Sequence, residues 1–559
     1  EEVGVATVPS RLGKIGATFN VYFEKVVRKY DRTLALSLLR PVATAVGLAG
    51  VSILCLALYP LLGVSFFPRT DPGQFVINLK APSGTRVEVT QDYVRQVEDI
   101  IRNVVPANEM QIVVSNIGIT TDFSAIYTPN AGPHTAFVQV SLKEGHKVGS
   151  YEYMRRVREQ LSEKLPQLNT YFQSGGLVDA VINLGLPAPI DVQVSGNSLR
   201  AAYATAAKIA APIRELKGVS DILIPQDIDY PALEPDIDRE KAGLLGLTQK
   251  EVVDNVITAL TSNGMIAPNY WIDPKSGNPY MLTVQYPENA VKSITDLKQI
   301  PLRGAHSTQP TFLDSVVHVK NIPSPTEVDH YQLQRVIDIY ISPKNQDLGK
   351  ITSQIEGIVK RTELPEGVRV TLRGSVQGMR ASFKSFGIGL ILSVVLVYLI
   401  LVAQFASWKD PFIILLSIPP GLAGVLLALL ATGTTMNVMS LMGLVMMVGI
   451  VVSNGILIVE FARHMHHEGK PLQEAVSTAS RLRLRPILMT SLATVLGLIP
   501  MAIGAEAGSE QYAPLARAII GGLLVSVVVT VYLVPAAYLW IHRGSEASSQ
   551  GPAAGEVVA

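Results

Sequence analysis

Polar side chains stand in the middle of two strongly apolar segments of this chain. Ser453 and Asn454 lie in VGIVVSNGILIVEF, while Thr490 lies in RPILMTSLATVLGLIP, a short distance after Arg483. At 1.5 Å per residue, Ser453 lies about 12 Å and Thr490 about 9 Å from the same end of two consecutive, antiparallel helices. Polar groups in lipid are costly without partners. Hydroxyls, an amide and water at similar depth form a candidate proton path, with Arg483 at its mouth.

A purely structural explanation fits the same residues. Ser453, Asn454 and Gly455 are of the small or polar kind that lines close contacts between membrane helices, where a hydrogen bond contributes about 0.6 kcal/mol. No Asp or Glu lies in the middle of an apolar segment, and Glu460 falls near the end of its own. The residues alone leave both the proton path and the packing seam open.

Six apolar segments are long enough to cross a bilayer as helices of about 20 residues. They cover residues 41–62, 386–402, 411–431, 438–461, 484–504 and 515–541. Hydrophobic residues make up 48% and charged residues 17% of the chain, and the mean hydropathy is +0.30. These values predict a membrane bundle together with a large water-exposed part, which the polar stretch of residues 64–384 supplies.

Lysine and arginine accumulate at one end of these segments, which predicts the orientation of the chain. They precede the first segment and fill the loop between the fourth and fifth, at Lys25, Arg28, Lys29, Arg32, Arg40, Arg463, Lys470, Arg481, Arg483 and Arg485. Both termini are therefore predicted to be cytoplasmic, with residues 64–384 on the opposite side. Residues 1–40 show the apolar spacing of an amphipathic helix on the inner membrane surface, and a cytosolic linker helix is the alternative.

The long polar stretch repeats an alternating strand, a turn and a helix. QFVINLKAPSGTRVEVTQDYVRQVEDII is the first unit, and related units begin at AFVQVSLKEG, IDVQVSGNSL and VIDIYISPKN. In each, apolar residues of period 2 give way to apolar residues of period 3.6. Four such units in two pairs predict two ferredoxin-like subdomains of the split βαβ kind. Residues 235–328 interrupt the second pair and are predicted to form an inserted subdomain.

Several longer motifs resemble those of one transporter family. They are GVSFFPRTDPGQF, DIDREKAGLLGLTQKEVVDNVITAL, LVAQFASWKDPF, NGILIVEFARH and RLRLRPILMTSLATVLGLIPMAIG. Over residues 22–541 the chain is similar to the C-terminal half of a resistance-nodulation-division efflux transporter of the acriflavine-resistance type. These are proton-driven permeases of the bacterial inner membrane. The resemblance implies a polytopic α-helical membrane protein of six transmembrane helices, with a large α+β periplasmic porter region and an inserted docking subdomain.

The resemblance also divides the chain into domains. It implies a cytoplasmic amphipathic segment (1–40), a first transmembrane helix (41–63), a first porter subdomain (64–189), a second porter subdomain (190–234 and 329–383), a docking subdomain (235–328), a five-helix transmembrane bundle (384–541) and a disordered cytoplasmic tail (542–559). The N-terminal half of the permease is absent from this sequence and would be a partner in the same polypeptide or a separate chain.

Site residues can be carried over one at a time. Arg483 and Thr490 match the arginine and threonine of the family's proton relay, but Ser453 stands where the family has a lysine. Since Ser453 cannot neutralise a carboxylate, coupling must run differently, through Asn454, water or another cation, and the acidic pair must come from the N-terminal half.

One loop of the first porter subdomain matches the family's drug path. The loop is TTDFSAIYTPNAGPHTA. There the resemblance implies that Phe123, Ile126 and Tyr127 line the substrate path. An ordinary hairpin loop is the alternative reading of these residues.

The resemblance implies export of drugs or other amphipathic small molecules by a homotrimer that works with a periplasmic adaptor protein and an outer-membrane channel. No phosphate-binding loop or hydrolase motif occurs, so neither an enzyme nor a cofactor is predicted. The net charge of +1 gives no indication of nucleic-acid binding. A metal-ion or lipid exporter of the same superfamily, and a membrane scaffold or sensor that transports nothing, are the alternatives.

Metal ligands are sparse in the sequence. The single cysteine, Cys55, excludes a Cys-based site within the chain. The tract from His464 to His467 is the one cluster of metal-ligand type, and it has no second cluster to complete it. Methionines outside the apolar segments are scattered, which argues against a copper or silver path. We therefore predict no metal site.

Overall fold

A computed structural model describes residues 11–119, 128–287, 290–306, 310–504 and 508–549. In chain order the helices are α1 (Arg11–Leu39), α2 (Pro41–Leu56), α3 (Val87–Val104), α4 (Ser150–Lys164), α5 (Leu177–Ile182), α6 (Leu199–Arg214), α7 (Arg239–Leu244), α8 (Gln249–Leu260), α9 (Ile294–Lys298), α10 (Leu348–Arg361), α11 (Ser375–Phe405), α12 (Lys409–Leu415), α13 (Ile418–Ala431), α14 (Val438–His467), α15 (Leu472–Ile503) and α16 (Ala513–Ser549).

The strands are β1 (Gln74–Lys80), β2 (Met110–Ile117), β3 (Thr135–Leu142), β4 (Asn169–Ser174), β5 (Ile190–Ser195), β6 (Val219–Leu223), β7 (Tyr230–Ile237), β8 (Tyr270–Ile272), β9 (Pro279–Met281), β10 (Pro301–Leu302), β11 (Thr311–Phe312), β12 (Val317–Ser324), β13 (Asp329–Tyr331), β14 (Gln334–Pro343) and β15 (Arg369–Arg373). The chain forms two compact units. The membrane unit takes residues 1–71, 343–356 and 375–559, and the α/β unit takes residues 72–342 and 357–374.

Six spans in the described residues are long and apolar enough to cross a membrane, which confirms the predicted number. They are Pro41–Leu61, Ser375–Phe405, Lys409–Ala431, Val438–His467, Leu472–Ile503 and Ala513–Arg543. Several extend past the predicted apolar core into the polar residues that flank it. The third span is divided into α12 and α13, and Pro419 and Pro420 lie in the first turn of α13, where proline is favoured. At the end of the chain, α16 continues to Ser549, although the prediction places a disordered tail from residue 542.

Close helix contacts hold the interior of the membrane unit. Helices α13, α14 and α16 bury more than half of their apolar spans, whereas α2, α11 and α15 bury fewer than one position in five. A Cβ atom added at Gly424 would overlap the carbonyl oxygen of Gly521, and one added at Gly521 would overlap the Cβ of Ala428. Small residues let membrane helices approach this closely. Glycine therefore fixes the spacing of α13 and α16.

Helix α1 packs against this bundle through one face. Tyr30, Leu34 and Leu38, spaced four residues apart, are all buried. The Tyr30 hydroxyl donates to the Val531 carbonyl of α16 at 2.9 Å. The amphipathic helix predicted for residues 1–40 is thus present from Arg11, and it packs against the bundle.

The α/β unit contains two antiparallel sheets of the same topology. The first has the order β2-β3-β1-β4, and in the second β14 pairs with both β6 and β5, while β5 also pairs with β15. Each sheet follows the sequence strand, helix, two strands, helix, strand of a ferredoxin-like fold, which confirms the prediction. In β1 the alternating residues Phe75, Ile77 and Leu79 are buried beneath α3 and α4.

The insertion has a small core of its own. The ladder between β7 and β12 joins its ends, with Ile237 opposite Val317. The motif DIDREKAGLLGLTQKEVVDNVITAL lies in this insertion and serves mainly structure. In it, Thr248 and Glu251 form a reciprocal capping box at the start of α8. Hairpin β8–β9 extends from this core and exposes Trp271 and Tyr280, whose ring centroids are 6.0 Å apart.

Candidate functional site

The adjacent residues Ser453 and Asn454 point to different environments. Asn454 is 6% exposed, and its side chain forms no hydrogen bond with another described residue, whereas Ser453 is exposed. A Cβ atom added at the buried Gly455 would lie only 3.2 Å from Cγ2 of Ile414 in α12. Gly455 therefore lies in a tight helix contact, as the packing-seam alternative requires, while Ser453 lies outside that contact.

Ser453 belongs to a continuous exposed stripe along α14. The stripe follows steps of three, four or seven residues and consists of Met442, Met446, Gly449, Ser453 and Glu460. Thr490 is likewise exposed on the neighbouring helix α15. Its hydroxyl donates to backbone carbonyls of its own helix, at 3.2 Å from Pro486 O and 3.1 Å from Ile487 O. Both hydroxyls are therefore available on surfaces that the described bundle leaves uncovered.

Arg483 lies on the same helix as Thr490, seven residues before it. Its guanidinium carbon lies 4.6 Å from the ring centroid of Phe461, in the range of a cation–π contact between α15 and α14. Its Nε atom is buried without a hydrogen-bond partner among the described residues. A group with unused donor capacity in an apolar setting is suited to receive an anion or water.

The four predicted relay residues share a region but do not form a network. Among the described residues, no hydrogen bond joins any two of Ser453, Asn454, Arg483 and Thr490. Hydroxyl and amide groups pass protons only as parts of hydrogen-bonded chains, so water or further side chains would have to join them. The geometry supplies polar groups and one cation, but no carboxylate among the four.

Sequence reasoning missed a buried acid at one end of the membrane unit. Asp410, at the start of α12, is 4% exposed, and its Oδ1 lies 3.2 Å from Nε2 of His542, near the end of the sixth span. The His542 ring stacks on Tyr538, with centroids 4.3 Å apart. The sequence shows an acid at the start of one apolar span and a histidine at the end of another. No local pattern indicates that the two side chains are in contact.

The α/β unit contains a second unpredicted cluster. Lys80 Nζ and His134 Nε2 lie 2.9 Å and 2.7 Å from the two carboxylate oxygens of Asp227. Burial alone would raise the pKa of Asp227, but the hydrogen bond from His134 and the charge of Lys80 outweigh it and hold the pKa below its usual value. This buried triad joins the first ferredoxin-like sheet to the segment between β6 and β7.

Asp191 lies on the central strand β5 and is fully buried. Neither of its carboxylate oxygens has a hydrogen-bond partner of normal geometry among the described residues. Burial and the neighbouring carboxylate of Asp338 raise its pKa to about 8, against the opposing charge of Arg373. Glu327 behaves similarly, because burial and Asp329 raise its pKa to about 7. Asp191 is therefore expected to keep its proton at neutral pH.

The residues predicted for the substrate path, Phe123, Ile126 and Tyr127, lie outside the described residues. Elsewhere in the α/β unit, a pocket of about 480 Å³ opens between α8, α9 and the β7–β12 ladder. Its walls include Leu233, Val256 and Leu260, with the cations Arg86 and Lys292 also lining it. Its apolar walls and cationic groups suit an amphipathic molecule.

No group of three or more His, Cys, Asp or Glu side chains within the described ranges could hold a metal ion. In the histidine tract from His464 to His467, His464 pairs with Glu468 at 3.2 Å, while His466 Nδ1 lies 3.1 Å from the Lys470 carbonyl. Met154 is buried in the core of the first subdomain.

Most of this chain resembles known proteins. A family model described as the AcrB/AcrD/AcrF family matches residues 6–542. The cobalt-zinc-cadmium resistance protein CzcA of Cupriavidus metallidurans is 27% identical over 93% of this chain and 49% of its own length. The cation efflux system protein CzcA of an Alcaligenes species matches to the same extent. The chain thus spans about half the length of these curated relatives.

Solved structures show the same fold. A crystal structure of a heavy metal efflux pump, crystal form II, covers 92% of this chain and 52% of its own, with a TM-score of 0.79 and 22% identity. Crystal form I of a heavy metal efflux pump superposes with a TM-score of 0.78 at the same identity. At this identity the likeness concerns the fold.

Proposed function

The chain belongs to the AcrB/AcrD/AcrF family of resistance-nodulation-division inner-membrane permeases, and from this premise we propose that it forms part of a proton-driven efflux permease for divalent metal cations. The observation that supports this cargo is the match, over 93% of the chain, to a cobalt-zinc-cadmium resistance protein and to a cation efflux system protein. Cobalt and zinc accept nitrogen and oxygen ligands, so scattered methionines do not argue against them. The proposed cargo is thus a metal cation and not the amphipathic drugs that the sequence resemblance implied.

The exposed faces of α14 and α15 support a relay completed from outside this sequence. Ser453 and Thr490 lie on uncovered surfaces, and Arg483 has unused donor capacity. Acidic side chains of an N-terminal half, placed against this surface, would supply the titrating groups. Asn454, buried beside the stripe, would bind water or steady the helix contact. Protonation there would shift populations between transport states.

The orientation and partners are part of the same proposal. The basic ends of the membrane helices would face the cytoplasm, and the α/β unit would lie in the periplasm. The insertion with hairpin β8–β9 would serve as the docking subdomain of a homotrimer that works with an adaptor protein and an outer-membrane channel. Cargo would enter from the periplasm or the outer leaflet.

Amphipathic small molecules are a second candidate cargo. Two observations favour them: the pocket of about 480 Å³ with apolar walls and two cations, and the lack of a metal-ligand cluster in the described ranges. Phe123, Ile126 and Tyr127 remain the proposed walls of such a path.

The test compares both cargoes in cells that express the full-length permease. Cellular zinc, cobalt and cadmium are measured by mass spectrometry, and dye efflux by fluorescence, each with and without a protonophore. Protonophore-sensitive loss of metal with unchanged dye content supports metal export. Dye efflux without metal loss supports the second cargo. If neither cargo moves while the protein is abundant in the membrane, the transport proposal fails in favour of a scaffold or sensor.

A further inference from the structure

Helix α1 presents two opposite faces. Tyr30, Leu34 and Leu38 pack on the bundle, and Thr33 Oγ1 lies 2.9 Å from the Tyr532 hydroxyl of α16. Asp31 pairs with Arg481 of α15 at 3.4 Å. These contacts fix the rotation of α1 about its own axis. The side chains of the opposite face are therefore held away from the bundle.

That opposite face is a graded stripe. It runs through Lys25, Arg28, Arg32, Leu36 and Leu39, in steps of three and four residues that place them along one side of a helix. The cations come first, and the two leucines follow, 67% and 68% exposed. Exposed leucines directly after a row of cations are unusual on a surface that faces only water.

The C-terminal end of this stripe lies close to the bilayer. Helix α1 ends at Leu39, and the membrane span that begins at Pro41 follows after Arg40 alone. Since a span begins where the chain enters the membrane, Leu36 and Leu39 lie within one or two helical turns of its surface. The leucines are thus nearer to the membrane span along the chain, and the cations lie several helical turns before it.

Three exposed cations on this side of α1, Arg28, Lys29 and Arg32, are short of acidic partners among the described residues. Lys29 and Arg32 form no ion pair or side-chain hydrogen bond within the described ranges, and Arg28 reaches only Glu24, at 3.9 Å between two strongly exposed side chains. An exposed pair at that distance contributes little. The face therefore keeps a net positive charge that an anion can neutralise.

We propose that α1 binds anionic phospholipid, with Arg28, Lys29 and Arg32 contacting the headgroup phosphate and Leu36 and Leu39 contacting the acyl chains. A row of lysines and arginines next to a membrane helix attracts anionic lipids, and arginine binds phosphate oxygens through paired donors. The proposal is independent of the transported cargo, because it depends only on the position of α1 beside a membrane span.

The test is native mass spectrometry of the purified full chain in detergent containing equal amounts of phosphatidylglycerol and phosphatidylethanolamine. The native protein is expected to retain phosphatidylglycerol preferentially. The Lys29→Gln/Arg32→Gln variant should lose that preference, by about fivefold per neutralised cation. Millimolar inorganic phosphate should not displace the lipid, because it lacks the acyl contact, and displacement would overturn the assignment to a lipid.

Two further variants make the result decisive. Lys208→Gln/Lys217→Gln removes the same charge from exposed positions of the α/β unit and should leave the lipid preference unchanged. Leu36→Ser/Leu39→Ser should weaken retention of both lipids. Lys29 and Arg32 are exposed and form no ion pair or side-chain hydrogen bond with a described residue, so their replacement should leave the unfolding midpoint in place. Equal lipid retention by the native protein and Lys29→Gln/Arg32→Gln would overturn the proposal.

Discussion

The guanidinium carbon of Arg483 lies 4.6 Å from the ring centroid of Phe461, and this contact joins α15 to α14 beside the candidate proton path. The aromatic face partly compensates the cation in a setting where its Nε has no described hydrogen-bond partner. The contact holds the charge in place while leaving donors available. A cation positioned in this way can respond to a carboxylate that gains and loses a proton.

Replacement of Arg483 by Gln is therefore expected to abolish protonophore-sensitive efflux, because no other member of the relay group carries a charge. Phe461→Leu should leave the charge but loosen its position, and efflux should fall by a smaller factor. A cation–π contact is worth about 0.5–2 kcal/mol, which corresponds to roughly a 2- to 30-fold change. Efflux rates at matched membrane abundance measure both effects, and an active Arg483→Gln protein would exclude Arg483 from coupling.

Thr490 and Thr494 form a matched pair on α15. Thr490 is predicted to belong to the relay, and the Thr494 hydroxyl donates to the Thr490 carbonyl at 2.9 Å. We expect Thr490→Val to eliminate protonophore-sensitive efflux and Thr494→Val to retain it, since valine keeps the shape and removes only the hydroxyl. Efflux of the cargo identified in cells is the readout. Equal losses in the two variants would assign both threonines to helix packing.

The contact between Gly424 and Gly521 predicts a strict size limit in the membrane unit. Gly521→Leu should force α13 and α16 apart, at a cost of about 1–3 kcal/mol or more, as in overpacked cores. The expected outcome is a lower thermal unfolding midpoint in detergent and reduced membrane abundance. Gly389→Leu is the control, because a Cβ atom at Gly389 meets nothing within 4 Å. A Gly521→Leu protein as stable as the control would contradict the packing argument.

Asp191 predicts a pH dependence of stability. Its folded-state pKa of about 8 lies above the usual value of 3.8, so the folded protein binds the proton more tightly than the unfolded chain. The resulting stabilisation is complete below pH 3.8 and is lost as the pH rises towards 8. At about 1.4 kcal/mol per pKa unit, the loss is on the order of a few kcal/mol.

Asp191→Asn, which resembles the protonated acid, should remove this dependence. The variant is expected to be more stable than the native chain above pH 8, and the difference should shrink as the pH falls. Unfolding midpoints of the full chain between pH 5 and pH 9 provide the measurement, with the exposed Asp92→Asn as a control. Parallel pH profiles for the native chain and Asp191→Asn would show that Asp191 is ionised throughout.

Local patterns in the sequence determined the architecture. Long apolar segments predicted the six spans found in the described residues, because a helix in lipid must satisfy its own backbone and expose apolar side chains. Alternation of period 2 followed by period 3.6 predicted both ferredoxin-like subdomains, since one buried face imposes each period. The longer motifs predicted the family, which the match over residues 6–542 confirms. The proposed relay roles of Ser453, Asn454, Arg483 and Thr490 remain predictions.

Only the tertiary structure decided which polar groups meet. Ser453 and Asn454 are neighbours in sequence, yet a helix turns successive side chains by about 100°, and the packing of α12 decided that Asn454 and Gly455 are buried while Ser453 is exposed. Asp410 meets His542, and Lys80 meets Asp227, across separations that no local period records. Such contacts depend on how whole helices and sheets pack. The periodicity of the sequence around each residue does not indicate which distant residue it contacts.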